Sequence, residues 1–202
     1  MLAILALAAC QSAPREAAWN ELFDGRSLGG FVATEFGGEG TVEVRDGCIQ
    51  IDMGSPLSGI TWTGAPPTGH YELEVIAARR LGTDFFCGLT FPVGDNHLTL
   101  VLGGWGGTVC GLSSLDGLDA AHNATRTLRR FERGRDYTVR VRVDATAVTA
   151  TLDGEPLCRT ELAGHTLSLR PEVLLSRPLG LSNFATATSI RAIRWRPVPS
   201  GA

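Results

Sequence analysis

Residues 95–123, DNHLTLVLGGWGGTVCGLSSLDGLDAAHN, gather the side chains of this sequence best suited to chemistry. Trp105 stands between two glycine pairs, and the loop beyond it carries Asp116, Asp119, His122 and Asn123. Glycines on both sides remove neighbouring side chains and leave the indole open to a flat partner. Carboxylates, an imidazole and an amide on one loop can hydrogen-bond the hydroxyls of a ligand. They can equally cap the loop by bonding backbone amides. Calcium could also be taken up at Asp116 and Asp119, although the D-x-[DN]-x-[DN]-G pattern of a calcium loop is missing. The plain structural alternative is a bulged strand crossing with a packing tryptophan.

A second set of residues comes from strand parity. HYELEVIAA, DFFCGLTFPV and NHLTLVLGG each alternate as half-buried strands do. Placed in one sheet, their polar faces would combine Glu72, Glu74, Phe86, Thr90, His97 and Thr99. An acid, an imidazole and a ring on one shallow face suit a sugar: the ring stacks on C–H groups while the others bind hydroxyls or move protons. Glu74 and His97 are the acid–base candidates, with Glu72, Asp84, Phe86 and Trp105 as contacts. A one-residue slip would turn every such side chain to the other face. No E-x-D-x-x-E array of paired glycosidase acids is present, and no P-loop, G-x-G-x-x-G, H-E-x-x-H or G-x-S-x-G stands in a suitable context. GGEGTVEV leads into a strand and not a helix N-terminus, so phosphate binding has no support.

The elements that must position these residues are strands. TVEVRDGCIQID reads as two strands around an Asp46-Gly47 turn, and DYTVRVRVDATAVTATLDG as a second hairpin. TSIRAIRWRPV makes a final strand, and only LRPEVLL is open to reading as a helical turn, with strand and loop as the alternative. One apolar face per strand, repeated many times, implies an all-β jelly-roll sandwich of two antiparallel sheets. No propeller or solenoid period emerges. The expected organisation is a leader and tether over 1–18, one sandwich over 19–198 and a tail over 199–202.

A net charge of −3 argues against nucleic acid as a partner. All 18 basic residues are arginine, so runs such as TRTLRRFERGR read first as a solvated face. MLAILALAAC is too short to span a bilayer as a helix and has the length of a signal h-region. Its Leu-Ala-Ala-Cys ending resembles a bacterial lipoprotein signal, with Cys10 as the lipid-bearing residue and the only membrane attachment expected. The expected location is the cell envelope after export. Cys48, Cys87, Cys110 and Cys158 are scattered with no C-x-x-C, which speaks against zinc and for buried free thiols, with a disulfide still open.

WNELFDGRSLGGF resembles the opening of the 3-keto-disaccharide hydrolase family, a concanavalin A-like sandwich, through its Leu22 to Phe31 run. VRDGCIQI, HYELEVIAA and PLGLSNFATATSIRAIRWRPV are similar, in order, to later family segments, so the resemblance spans roughly 19 to 198. TDFFCGLTF departs from the Asn-Ser-Gly segment of many members, while the Gly-Gly-Trp-Gly-Gly segment resembles an exported bacterial subgroup. The resemblance implies cleavage of glycosides already oxidised at C3. The ketone acidifies the C2 proton, a base removes it, the C1 substituent leaves, and water adds to the product. Strand parity then suggests Glu74 or His97 as base with the other assisting. Asp84, Asp116 and Asn123 would position hydroxyls, and Trp105 would stack on the ring. The alternative is a non-catalytic glycan-binding module on the same sandwich, and a structural surface protein is a third; calcium at Asp116 and Asp119 aside, no cofactor is expected.

Overall fold

The computed structural model describes residues 17–199. The expected lipid-attachment segment with Cys10, and residues 200–202 of the expected tail, lie outside the described residues. Within them the chain runs through β1 (Asn20–Glu21), β2 (Phe31–Ala33), β3 (Val42–Arg45), β4 (Cys48–Ile51) and β5 (Leu57–Trp62). There follow β6 (Tyr71–Gly82), β7 (Cys87–Val93), β8 (Asn96–Gly104), β9 (Val109–Ser113) and β10 (Thr127–Leu128). Then come β11 (Tyr137–Val143), β12 (Ala147–Leu152), β13 (Glu155–Glu161), a 3-10 turn (Pro171–Ser176), β14 (Gly180–Phe184) and β15 (Thr186–Pro197).

These strands form two antiparallel sheets, as the alternation predicts. The first has the order β13-β12-β11-β6-β15-β4-β3, with β1 paired to β15; the second has the order β10-β9-β8-β7-β14-β5-β2. The Asp46-Gly47 turn joins β3 to β4 with both residues at positive φ, 53° and 71°, matching the right-handed twist of the hairpin. β11 alternates buried Tyr137, Val139, Val141 and Val143 with partly exposed Thr138, Arg140 and Arg142. Inward residues of both sheets, such as Leu73, Val75, Leu89, Phe91, Leu98 and Leu100, make one core, each large side chain contributing roughly 1.5–3 kcal/mol by burial. Buried polar links also cross between the sheets: the Tyr71 hydroxyl donates to the Pro92 carbonyl, and the Thr188 hydroxyl donates to the Phe86 carbonyl at 2.7 Å.

The topology corrects one premise of the sequence reading. β6 lies in the first sheet, between β11 and β15, whereas β7 and β8 pair with each other in the second. Parity within β6 is as expected, with Leu73 and Val75 in the core and Glu72 and Glu74 facing away. That outward face belongs to the opposite side of the sandwich from His97 and Thr99. There Glu74 takes Arg140 Nε at 3.1 Å and Arg194 Nε at 2.8 Å, and Glu72 takes Arg196 Nε at 2.8 Å and Arg142 Nη1 at 3.4 Å. The indole of Trp19 lies against Arg140, Arg194 and Arg196 and helps close the lattice. These glutamates are therefore ion-paired ties between β11, β6 and β15, and Glu74 cannot act beside His97.

The four cysteines among the described residues are free thiols, with Cys48, Cys87 and Cys110 buried and Cys158 half-buried. Burial pushes Cys87 and Cys158 up to about 12 and Cys110 up to about 11, so thiolate chemistry is suppressed in the folded protein.

Burial opposes ionisation of Glu74, but the Arg140 and Arg194 hydrogen bonds outweigh it and hold its carboxyl below the usual glutamate range. A lowered carboxyl pKa contributes stability that is complete above the ordinary range and drains away as pH falls through the folded value. Glu74→Gln should cost about 2 kcal/mol in urea unfolding at neutral pH, less than for a sealed pair because both arginines reach solvent. The difference from wild type should shrink as the medium becomes acidic; a constant difference across that range would refute the assignment.

Candidate functional site

The outer face of the second sheet carries a groove. Alternation along β8 sends Leu98, Leu100 and Leu102 into the core and leaves Thr99 and Val101 on the outer face, where they line the groove floor. Across the sheet, Ser113 stands beside Thr99, and Phe184 beside Leu57. The chain between β13 and β14 crosses over this face. It begins beside the loop after β9, with the Ser168 carbonyl accepting from Ser114 N–H at 2.8 Å. It ends over β5, where the Thr61 hydroxyl donates to the Leu175 carbonyl at 2.9 Å. This strap, including the 3-10 turn expected within LRPEVLL, bounds the groove at one end of the strands. The tryptophan turn bounds it at the other. Between them lies a cavity of about 390 Å³ with an aromatic wall of Phe85, Trp105 and Phe184 and a charged wall of Asp119, Arg170 and Glu172.

The turn is held from two sides. Arg79 continues the inward row of Tyr71, Leu73, Val75 and Ala77 on β6, crosses the core and donates to the carbonyls of Gly103 at 3.2 Å and Gly107 at 3.1 Å. The rings of Phe86 and Phe131 lie against its guanidinium, at 5.4 and 5.7 Å from their centroids. From the groove side, the Asp84 carboxylate accepts the N–H of Phe85 at 2.7 Å, Trp105 at 3.2 Å and Gly106 at 3.3 Å. Trp105 itself sits at φ 48°. The glycines are thus explained chiefly by this clamp. A Cβ on Gly103 would come within 2.3 Å of Arg79 Nη2, and one on Gly107 within 2.9 Å of the Thr83 carbonyl, with φ at 75° and 105°. The segment is both a turn and a wall, and its indole remains 43 % exposed at the lip.

The charged wall is a chain of ion pairs. Asp119 accepts the Ala121 N–H at 3.0 Å and faces His122 Nδ1 at 2.7 Å through the same oxygen. Its other oxygen takes Arg170 Nη1 at 3.1 Å, and Arg170 Nη2 donates to Glu172 at 2.7 Å. The bond from Arg170 holds the Glu172 carboxyl below the usual range, and the same bond raises the guanidinium. Arg170 therefore ties the β9–β10 loop to the strap.

The other residues singled out by sequence divide as follows. Trp105, Asp84 and Asp119 line the groove. Phe86 does not: it is buried among Phe131 and Tyr137, because Phe86 turns inward just as Cys87, the first residue of β7, does. Phe85 takes the position expected of Phe86, its ring against Gly88. His97 shares the outer face but does not line the cavity; burial, and then the charge of Arg177, lower its pKa and favour the neutral ring. Asp116 turns away to His165 Nδ1 at 2.7 Å and Thr166 N–H at 2.8 Å. Asn123 is a loop latch, donating to the carbonyls of Leu112, Leu118 and Asp119 and accepting from Thr125. His122 is exposed beside Asp119. Among the described residues, no three His, Cys, Asp or Glu side chains gather as a metal site, and Asp116 and Asp119 have different partners. Arg170, Glu172, Phe85 and Phe184 escaped the sequence reading, since no spacing along the chain brings the strap over β8.

Asp84→Ala would leave three backbone donors of a tight turn unpaired and should cost about 1–3 kcal/mol in stability. Trp105→Ala, at an exposed position, should stay within about 0.5 kcal/mol of wild type. Thermal unfolding of the two variants checks this; equal losses would mean that the indole, and not the carboxylate, holds the turn.

No family model matches this sequence, and no curated protein does. Its fold is similar to that of the carbohydrate binding module CBM66 from Bacillus subtilis, at 11% identity over 81% of this chain and 93% of that one, with a TM-score of 0.55. It is also similar to the exoplasmic/lumenal domain of VIP36 in a Ca2+/mannose-bound form, at 10% identity over 90% and 91% of the two chains, TM-score 0.59. A third neighbour is domain 4 of AbnA, a GH43 extracellular arabinanase from Geobacillus stearothermophilus, in complex with arabinotriose; it is 15% identical over 91% and 94% of the chains, TM-score 0.56. At such identities the likeness is one of fold: two antiparallel sheets packed as a sandwich.

Proposed function

We propose that the groove on the second sheet binds an oligosaccharide. The observation that carries this is the pairing of an aromatic wall, Phe85, Trp105 and Phe184, with a charged wall, Asp119, Arg170 and Glu172, across a floor of Thr99 and Val101. A pyranose has apolar C–H faces and a polar rim, and needs both surfaces at once. Fold neighbours that include a carbohydrate binding module and two sugar-bound domains support the reading. Trp105→Ala should weaken binding about tenfold, near 1.4 kcal/mol, in calorimetric titration against neutral oligosaccharides. Saturable binding that Trp105→Ala leaves unchanged would remove the groove from the account.

A second reading keeps chemistry in the same place: hydrolysis of 3-keto-glycosides, supported by the resemblance of the opening motif and by the carboxylates facing the groove. Glu74 faces the opposite side of the sandwich and His97 lies outside the lining, so the acid–base roles pass to Glu172 and to Asp119 with its neighbour His122. One group would take the acidified C2 proton, the C1–O bond would break with its electrons and a proton going to the leaving hydroxyl, and water would add across the new double bond. With a 3-keto-disaccharide and its unoxidised parent, this reading predicts monosaccharide release from the keto sugar alone, reduced at least a hundredfold in Glu172→Gln. Binding without release would leave a glycan-binding module. Export and a lipid tether at Cys10 belong to the same proposal; Cys10→Ser should move the protein out of the membrane fraction.

A further inference from the structure

Among the described residues, those lining the groove proposed above offer no cation free to receive an acidic sugar. Its ionisable lining consists of Asp84, Asp119, Arg170 and Glu172. Arg170 is engaged at both terminal nitrogens, Nη1 on Asp119 and Nη2 on Glu172. Arg79, behind the turn, is committed to the Gly103 and Gly107 carbonyls and covered by two rings. A carboxylated or sulfated sugar would have to break the Arg170 pairs, uncovering Asp119, or sit against three carboxylates unpaired. The polar floor offers little in compensation, because the Thr99 hydroxyl is already bonded to Thr90 at 2.8 Å.

What the groove presents is hydrogen-bond acceptors with excess negative charge. Glu172 is 49 % exposed along its side chain, with lone pairs left beyond its bond to Arg170. A ligand must therefore bring donors. Each sugar hydroxyl brings one, whereas a protonated amine brings three and a positive charge. Resting on the glycan-binding reading, we infer that the groove is selective for glycans carrying free 2-amino sugars, over neutral ones, and excludes uronic-acid glycans. The charge preference acts at a partly exposed rim, where an ion pair contributes at most about 1 kcal/mol, or up to roughly a fivefold gain in affinity.

The test compares three length-matched β-linked oligosaccharides by calorimetry, built from glucosamine, glucose and galacturonate. It is run where the amine is protonated and the carboxylates are ionised. The amino-sugar oligomer should bind about two- to fivefold more tightly than the neutral one, and the gain should fade at high salt. The galacturonate oligomer should bind at least about tenfold more weakly than the neutral one. In Glu172→Gln the ratio of amino-sugar to neutral affinity should fall toward one. Equal affinity for amino and neutral oligomers, or binding of the galacturonate oligomer as tight as either, overturns the selectivity and leaves glycan binding standing. Binding of none of the three removes both.

Discussion

A buried guanidinium sets the shape of the site. Arg79 grows from the inward face of one sheet and ends on two carbonyls of a turn in the other. A charged group in that position has a high desolvation cost, offset here by two hydrogen bonds and two ring faces. The consequence is geometric: the carbonyls of Gly103 and Gly107 are drawn toward the core, the amides of Trp105 and Gly106 point to Asp84, and the indole is left outside. The groove then needs only the strap to complete it.

The two outer faces of the sandwich have been given different work. On the first sheet, Glu72 and Glu74 are answered by arginines of β11 and β15, so its charges are spent in holding strands together. On the second sheet the outer face between turn and strap is uncharged at its floor, and the ions stand at the rim. A floor of small or apolar residues with polar groups at the edge lets a ligand stack without stripping water from buried charge. One sandwich thus carries a face tied by ion pairs and a face with a groove, the one proposed to bind.

Much of this was legible in the sequence because β-structure has a short period. Alternation in β6, β8 and β11 gave the correct inward and outward residues, and Asp46-Gly47 announced its hairpin. Sheet membership was not legible, because alternation says which way a side chain points within a strand and nothing about which sheet the strand joins. That is why Glu74 and His97 looked like neighbours although the core separates them. Phe86 misled for a local reason: the parity of β7, which begins at Cys87, does not extend back through the bend at Phe86. Arg170 and Glu172 reach the groove through a crossing over β8 and β7, a contact made by tertiary structure alone. Of the site, sequence alone marked Thr99 through strand parity, and Trp105, Asp84 and Asp119 as residues of unusual type in unusual loops.

The most direct measurement is a map of amide chemical-shift changes in the protein as a glucosamine oligosaccharide is titrated in. Binding in the groove predicts that the largest changes cluster at Asp84–Phe85, Thr99–Val101, Trp105–Gly107 and Arg170–Val173, with β11 and β15 unmoved. Changes centred on Glu72, Glu74 and Trp19 would contradict the account, because the ligand would then sit on the face that the structure uses to hold its strands together.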